Sequence, residues 1–67
     1  MVAEAGLTPE EILNRALAKE KAAFNYYDRM LRSTNIDLIQ GLLQELKNEE
    51  FKHIKMIESK IRQLSVG

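Results

Sequence analysis

Apolar residues recur at three- and four-residue intervals along two stretches of the chain. The first runs through Ile12, Leu13, Ala16, Leu17, Phe24, Tyr27 and Leu31, and the second through Ile39, Leu42, Leu43, Leu46, Ile57, Ile61 and Leu64. That period belongs to amphipathic helices; alternation of the strand type is absent. "LTPEE" at 7–11 is a helix start: Thr8 suits the N-cap, Pro9 the first helical position, and Glu11 completes a T-x-x-E capping box. "STN" at 33–35 breaks the pattern, and Thr34 with Asp37 can form a second capping box. The sequence therefore predicts an all-α single domain over 1–67, with helix 1 over about 9–32, a turn at 33–35 and helix 2 over about 36–64. A turn this short makes the helices antiparallel neighbours in an αα-hairpin. Gly41 inside helix 2 costs about 1 kcal/mol relative to alanine, an expense that close packing would justify.

Polar residues interrupt both apolar stripes. At about 100° per residue, with Glu20 at the origin, Leu13, Leu17, Phe24, Tyr27 and Leu31 all fall within about 60°, so Glu20 sits at the stripe's centre. With Leu46 at the origin of helix 2, Glu50 falls near 40° and His53 near −20°, both inside the stripe, while Glu49 lies on its margin and Phe51 among the outward charges. Heights agree as well. Counting from a turn centred between Thr34 and Asn35, Glu20 and Glu50 both lie roughly 22–23 Å away, and His53 lies about 4.5 Å beyond. A lone E-x-x-H means little in a chain with eight glutamates, where it can be a surface ion pair or a core histidine satisfied by an acid. Three ionisable groups on inward faces at matching heights say more. Unpaired charges in a core are costly, and two carboxylates side by side repel unless one stays protonated or a cation joins them.

Composition narrows what can satisfy them. A chain of 67 residues buries a small share of its surface, and folds of this size lean on disulfides, a metal or a partner. There is no cysteine, which removes disulfides, thiolate zinc sites and iron–sulfur clusters. A metal held by Glu, Asp or His, or self-association, remains. Ten basic and ten acidic residues give zero net charge without a like-charged block, arguing against nucleic acid as a partner. No apolar run reaches a membrane span, and the N-terminus lacks a signal-peptide pattern, so the expected location is the cytoplasm.

Glu20, Glu50 and His53 are too few ligands for a closed site, and one hairpin leaves an apolar stripe uncovered. Pairing two hairpins would answer both needs. A homodimer would form a four-helix bundle with a Glu from each of two helices and a Glu-x-x-His from each of the others, the ligand set of ferritin-like dinuclear sites. Four carboxylates would neutralise two divalent cations, and oxygen with imidazole ligands suits iron or manganese, with zinc a common substitute.

The segments "ALAKEKAAFNYYDRML" and "LLQELKNEEFKHIKMIE" resemble the rubrerythrin-like, ferritin-like diiron proteins, from about Ile12 to Ile61. The resemblance implies Glu20, Glu50 and His53 as metal ligands, Tyr27 as a buried tyrosine beside them, and two iron ions per dimer. Full rubrerythrins carry four such helices in one chain and often a cysteine-rich rubredoxin domain. This chain has half the bundle and no cysteine, and so is similar to the half-length, self-associating encapsulated ferritins. That branch implies oxidation of Fe(II) by dioxygen or peroxide, at an intersubunit site in a dimer or larger assembly. The C-terminal "LSVG" resembles the start of a peptide that loads cargo into encapsulin shells, which would place the protein inside an encapsulin compartment; a frayed terminus is the plainer reading. Tyr26 reads as a flank or subunit-contact residue, Glu49 as a solvated acid or an extra ligand, and Met30 and Met56 as packing residues. Two readings without catalysis stay open: a dimerisation hairpin whose site is vestigial or zinc-filled, and a coiled-coil hairpin with no metal role.

Overall fold

The computed structural model of the protein describes residues 6–66. Residues 1–5 of the N-terminus, on which the signal-peptide expectation partly falls, and Gly67 of "LSVG" lie outside the described residues. Two helices account for the fold, α1 (Pro9–Arg32) and α2 (Asp37–Val66). They pair side by side as the expected antiparallel hairpin: Asp28 near the turn meets Lys47, whereas Glu20 further back meets His53.

The start of α1 follows its sequence signal. The Glu11 amide donates to Thr8 Oγ1 at 3.1 Å, and the Thr8 amide donates to Glu11 Oε1 at 2.8 Å. Both satisfy donors that a helix N-terminus otherwise leaves open. At the other end the Ser33 amide donates to the Met30 carbonyl, and the Ser33 hydroxyl to the Arg29 carbonyl, each at 2.9 Å. Arg29 and Arg32 in the last turn complement the helix dipole.

The second helix departs from expectation at its start. It begins at Asp37 rather than Ile36 and continues to Val66, two residues past Leu64. The Thr34–Asp37 capping box does not form: Thr34 sits too early, and its Oγ1 accepts the Ile36 amide at 3.3 Å while its carbonyl accepts Gln40 Nε2 at 2.8 Å. Gly41 also reads differently. A Cβ built there meets nothing within 4 Å, so packing inside the hairpin does not require glycine.

Hairpin packing uses only part of each apolar stripe. Ile54, at 8% exposure, is the single buried side chain among the described residues. Around it the rings of Phe24 and Phe51 meet at 6.2 Å, tilted by 45°. This corrects the expectation for Phe51, which faces α1 and not the solvent charges alone, though it remains 48% exposed. Lys47 lies 5.3 Å over the Phe24 ring and donates to Asp28 at 2.8 Å, and Arg32 also binds Asp28. One helix can cover only part of a stripe more than 100° wide. The other part stays open: Ile12 on α1, with Leu38, Ile39, Leu42, Met56 and Leu64 on α2, is exposed. In its thinnest direction the backbone extends only 12 Å, one helix deep. No described helix is long and apolar enough to cross a membrane.

Candidate metal centre

Glu20 reaches the site from the middle of α1; Glu50 and His53, one turn apart on α2, reach it from the facing helix. His53 Nδ1 lies 2.9 Å from Glu20 Oε1 and 3.5 Å from Glu50 Oε1. One ligand atom from each of the three residues falls within 4.8 Å of the others. The sequence placed Glu20 level with Glu50 and His53 beyond them, whereas the shortest contact joins Glu20 to His53. The centre is half-buried, with side-chain exposures of 18% for Glu50, 23% for Glu20 and 45% for His53. Its open side coincides with the uncovered apolar face, which carries Met56 about one turn from His53 and Leu42 about three turns from it.

Crowding sets the protonation of the group. A hydrogen bond between the two carboxyl groups, joined by the bond from His53, holds Glu20 below the usual carboxylate range. The same carboxyl pairing, together with burial, pushes Glu50 up. His53 is raised above the ordinary imidazole value, first by its hydrogen bond to Glu20. The crowding therefore favours ionisation at Glu20 and protonation at Glu50 and His53.

Those protons do not satisfy every atom. Glu50 Oε1 is buried and has no hydrogen-bond partner among the described residues. A buried acceptor without a donor costs on the order of 1–3 kcal/mol, and a cation in line with the His53 and Glu20 atoms would supply what it lacks. The donor set of two carboxylates and one imidazole, without sulfur, fits iron, manganese or zinc.

The other residues singled out by sequence separate clearly. Glu49 pairs with Lys52 at 3.4 Å on the exposed surface and stands outside the three-residue group, as a solvated acid would. Tyr27 is half-buried, and its ring meets Tyr26 edge-on at 5.6 Å. The Asp28–Lys47 bridge went unread in the sequence. Its signal was there: Asp28 and Lys47 stand at about 80° and 100° from the stripe origins, at the edge where the helices meet. Lys47 and Arg32 hold the Asp28 carboxyl below its usual value.

A helical hairpin with a glutamate on one helix facing a Glu-x-x-His on the other defines a ferritin-like class of carboxylate–histidine protein. The sequence model of the rubrerythrin family matches residues 11–67. The chain belongs to the rubrerythrin family. No curated protein and no solved structure matches it.

Proposed function

We propose that the protein is a di-metal oxidoreductase that binds Fe(II) between two copies of the chain and oxidises it with dioxygen or peroxide. The observation that carries this reading is the buried, unpartnered Glu50 Oε1, set within reach of Glu20 and His53 on an uncovered apolar face. Family membership supports iron as the metal. One chain offers three ligands; two chains would offer four carboxylates and two imidazoles, matching the charge of two divalent ions. Bound iron supplies the electrons that reduce the oxidant.

The chain's own residues manage protons and access. Because ligand atoms must be deprotonated, a metal held by Glu50 and His53 would compete with protons at both, whose pKa values are raised by Glu20. Reduction of one peroxide to two waters would take two electrons, from two Fe(II), and two protons, from solvent. The flanking apolar residues of the open face, Leu42, Leu46 and Met56, would exclude bulk water once a second copy covers them. Tyr27, two helical turns or roughly 10 Å from Glu20 on the same face, would point into the closed bundle on the turn side of the ligand carboxylates.

Anaerobic loading with Fe(II), followed by exposure to air or peroxide, tests this. Wild type should oxidise iron at least tenfold faster than Glu50→Ala. Equal, slow rates for the two would leave only a non-catalytic hairpin whose site holds zinc or nothing.

A further inference from the structure

We propose that Met56 is an oxidative modification site: peroxide in excess of ferrous iron converts its thioether to the sulfoxide, and the oxidised chain releases its second copy. This rests on the intersubunit iron reading above and adds to it a residue that registers the oxidant.

Position is the first argument. Met56 follows His53 by three residues, one turn along α2, so their Cβ atoms stand about 5–6 Å apart. Side chains on a helix lean towards its N-terminus, and a long one covers the turn before its own Cα. Met56 therefore lies over the turn that carries His53. Leu42 and Leu46 stand on the other side of the group and lean away from it. Ile57 also follows His53 by a turn, but its side chain is hydrocarbon and half-buried.

Exposure is the second argument. A flexible thioether ordinarily fills irregular gaps in a core. At 56% exposure Met56 fills none inside the hairpin, which departs from the packing role its place in the sequence suggests. Its sulfur stands instead on the uncovered apolar face beside the Glu20–Glu50–His53 group. Met30 provides the contrast. It is half-buried on α1, ten residues and roughly 15 Å along the helix from Glu20.

Electron count decides when the sulfur reacts. Two Fe(II) give two electrons and reduce one peroxide to two waters. A further peroxide in the site meets spent iron, and the thioether of Met56 is a two-electron donor one turn away. The O–O bond breaks, one oxygen bonds to sulfur, and the other leaves as water with both protons of the peroxide. Sulfur loses the two electrons that the peroxide gains, so no other reactant is needed. Peroxide held in the site is presented to the sulfur at close range, an advantage that peroxide free in solution lacks.

The product changes the face it stands on. Methionine sulfoxide is polar, and burying it under a second copy without a hydrogen-bond donor is costly. Pairing therefore weakens, and the site loses its second set of ligands. Reduction of the sulfoxide restores the thioether, which makes the change reversible.

Peptide mapping by mass spectrometry tests the proposal. The full chain is loaded anaerobically with Fe(II), treated with graded hydrogen peroxide and quenched with catalase, beside a metal-free sample. Met56 should stay unmodified until peroxide exceeds one per two Fe(II). Beyond that point it should gain one oxygen about tenfold faster than Met30, and about tenfold faster than Met56 of the metal-free chain. Sedimentation velocity of the same samples should show the oxidised chain moving to the single-chain species, while Met56→Leu stays paired under the same treatment. Met56 oxidation no faster with iron than without, or Met30 oxidation that keeps pace, would overturn the modification site. An oxidised chain that stays paired would overturn the release. Iron oxidation followed by absorbance in the same samples separates these from the reading beneath: wild type no faster than Glu50→Ala would overturn that reading instead.

Discussion

Replacing Glu50 with leucine should raise the stability of the apo chain and remove most of the stabilisation that metal gives. In the apo hairpin Glu50 is 18% exposed and presents an unpartnered Oε1 beside the Glu20 carboxylate. Leucine removes that orphan acceptor, worth about 1–3 kcal/mol, and covers the same space with apolar surface. For a chain of this size, 1 kcal/mol moves the thermal midpoint by about 4–8 °C, so apo Glu50→Leu should melt about 5–15 °C above apo wild type. Metal changes the comparison. Wild type held at a hundredfold excess over its dissociation constant gains about 2.7 kcal/mol, and the leucine variant gains little. Circular dichroism melts with chelator and with Zn(II), a redox-inert probe, give all four midpoints. An apo Glu50→Leu that melts below apo wild type would refute the reasoning, because Glu50 would then be holding the fold together.

Four further outcomes follow from other parts of the hairpin. Ile54→Ala empties the only buried position among the described residues and should cost about 2–4 kcal/mol in urea unfolding, a large share of the stability of so small a core. Thr8→Ala removes one half of the capping box and should cost about 1 kcal/mol by the same assay. Because the folded value of His53 is raised, its pairing with Glu20 stabilises the apo chain fully below pH 6.5 and loses that contribution as pH rises through the folded value; His53→Gln should flatten this slope in apo melts, while metal affinity in wild type falls as pH drops. Asp28 is shifted the other way, so its bridge to Lys47 and Arg32 contributes above pH 3.8 and is lost as pH falls through the lower folded value. Wild type should therefore be more stable than Asp28→Asn at neutral pH, and acid titration should close that difference as pH falls below 3.8.

The features legible in the sequence were those written locally. "LTPEE" specified the start of α1 because every partner in its capping box lies within three residues. The centre was legible because helical angle and height are both properties of one chain read along its length, and they selected Glu50 over Glu49, which pairs with Lys52 outside the group. What escaped was set by how the two helices roll against each other. The angles place Leu46 at the stripe's centre, yet the hairpin packs through Ile54, Phe51 and Lys47 and leaves Ile39, Leu42 and Leu64 open. Phe51 therefore moved from the outer face to the Phe24 ring, and the Asp28–Lys47 bridge appeared where only a margin had been read. The roll depends on ring and lysine packing across the pair, which no single stripe encodes. It also explains the uncovered face beside Glu20, Glu50 and His53. Thr34 illustrates a smaller case: a threonine before a helix caps it only when it occupies the N-cap, and here the chain takes two further residues to enter α2.

The central claim is that one chain holds half of a site. Anaerobic Fe(II) titration followed by native mass spectrometry and sedimentation velocity measures this directly. The account predicts saturation at one iron per chain, carried by a species of two chains or a multiple of two and holding two irons per pair. Saturation on a monomer, or an assembly that binds no iron through Glu20, Glu50 and His53, would contradict it.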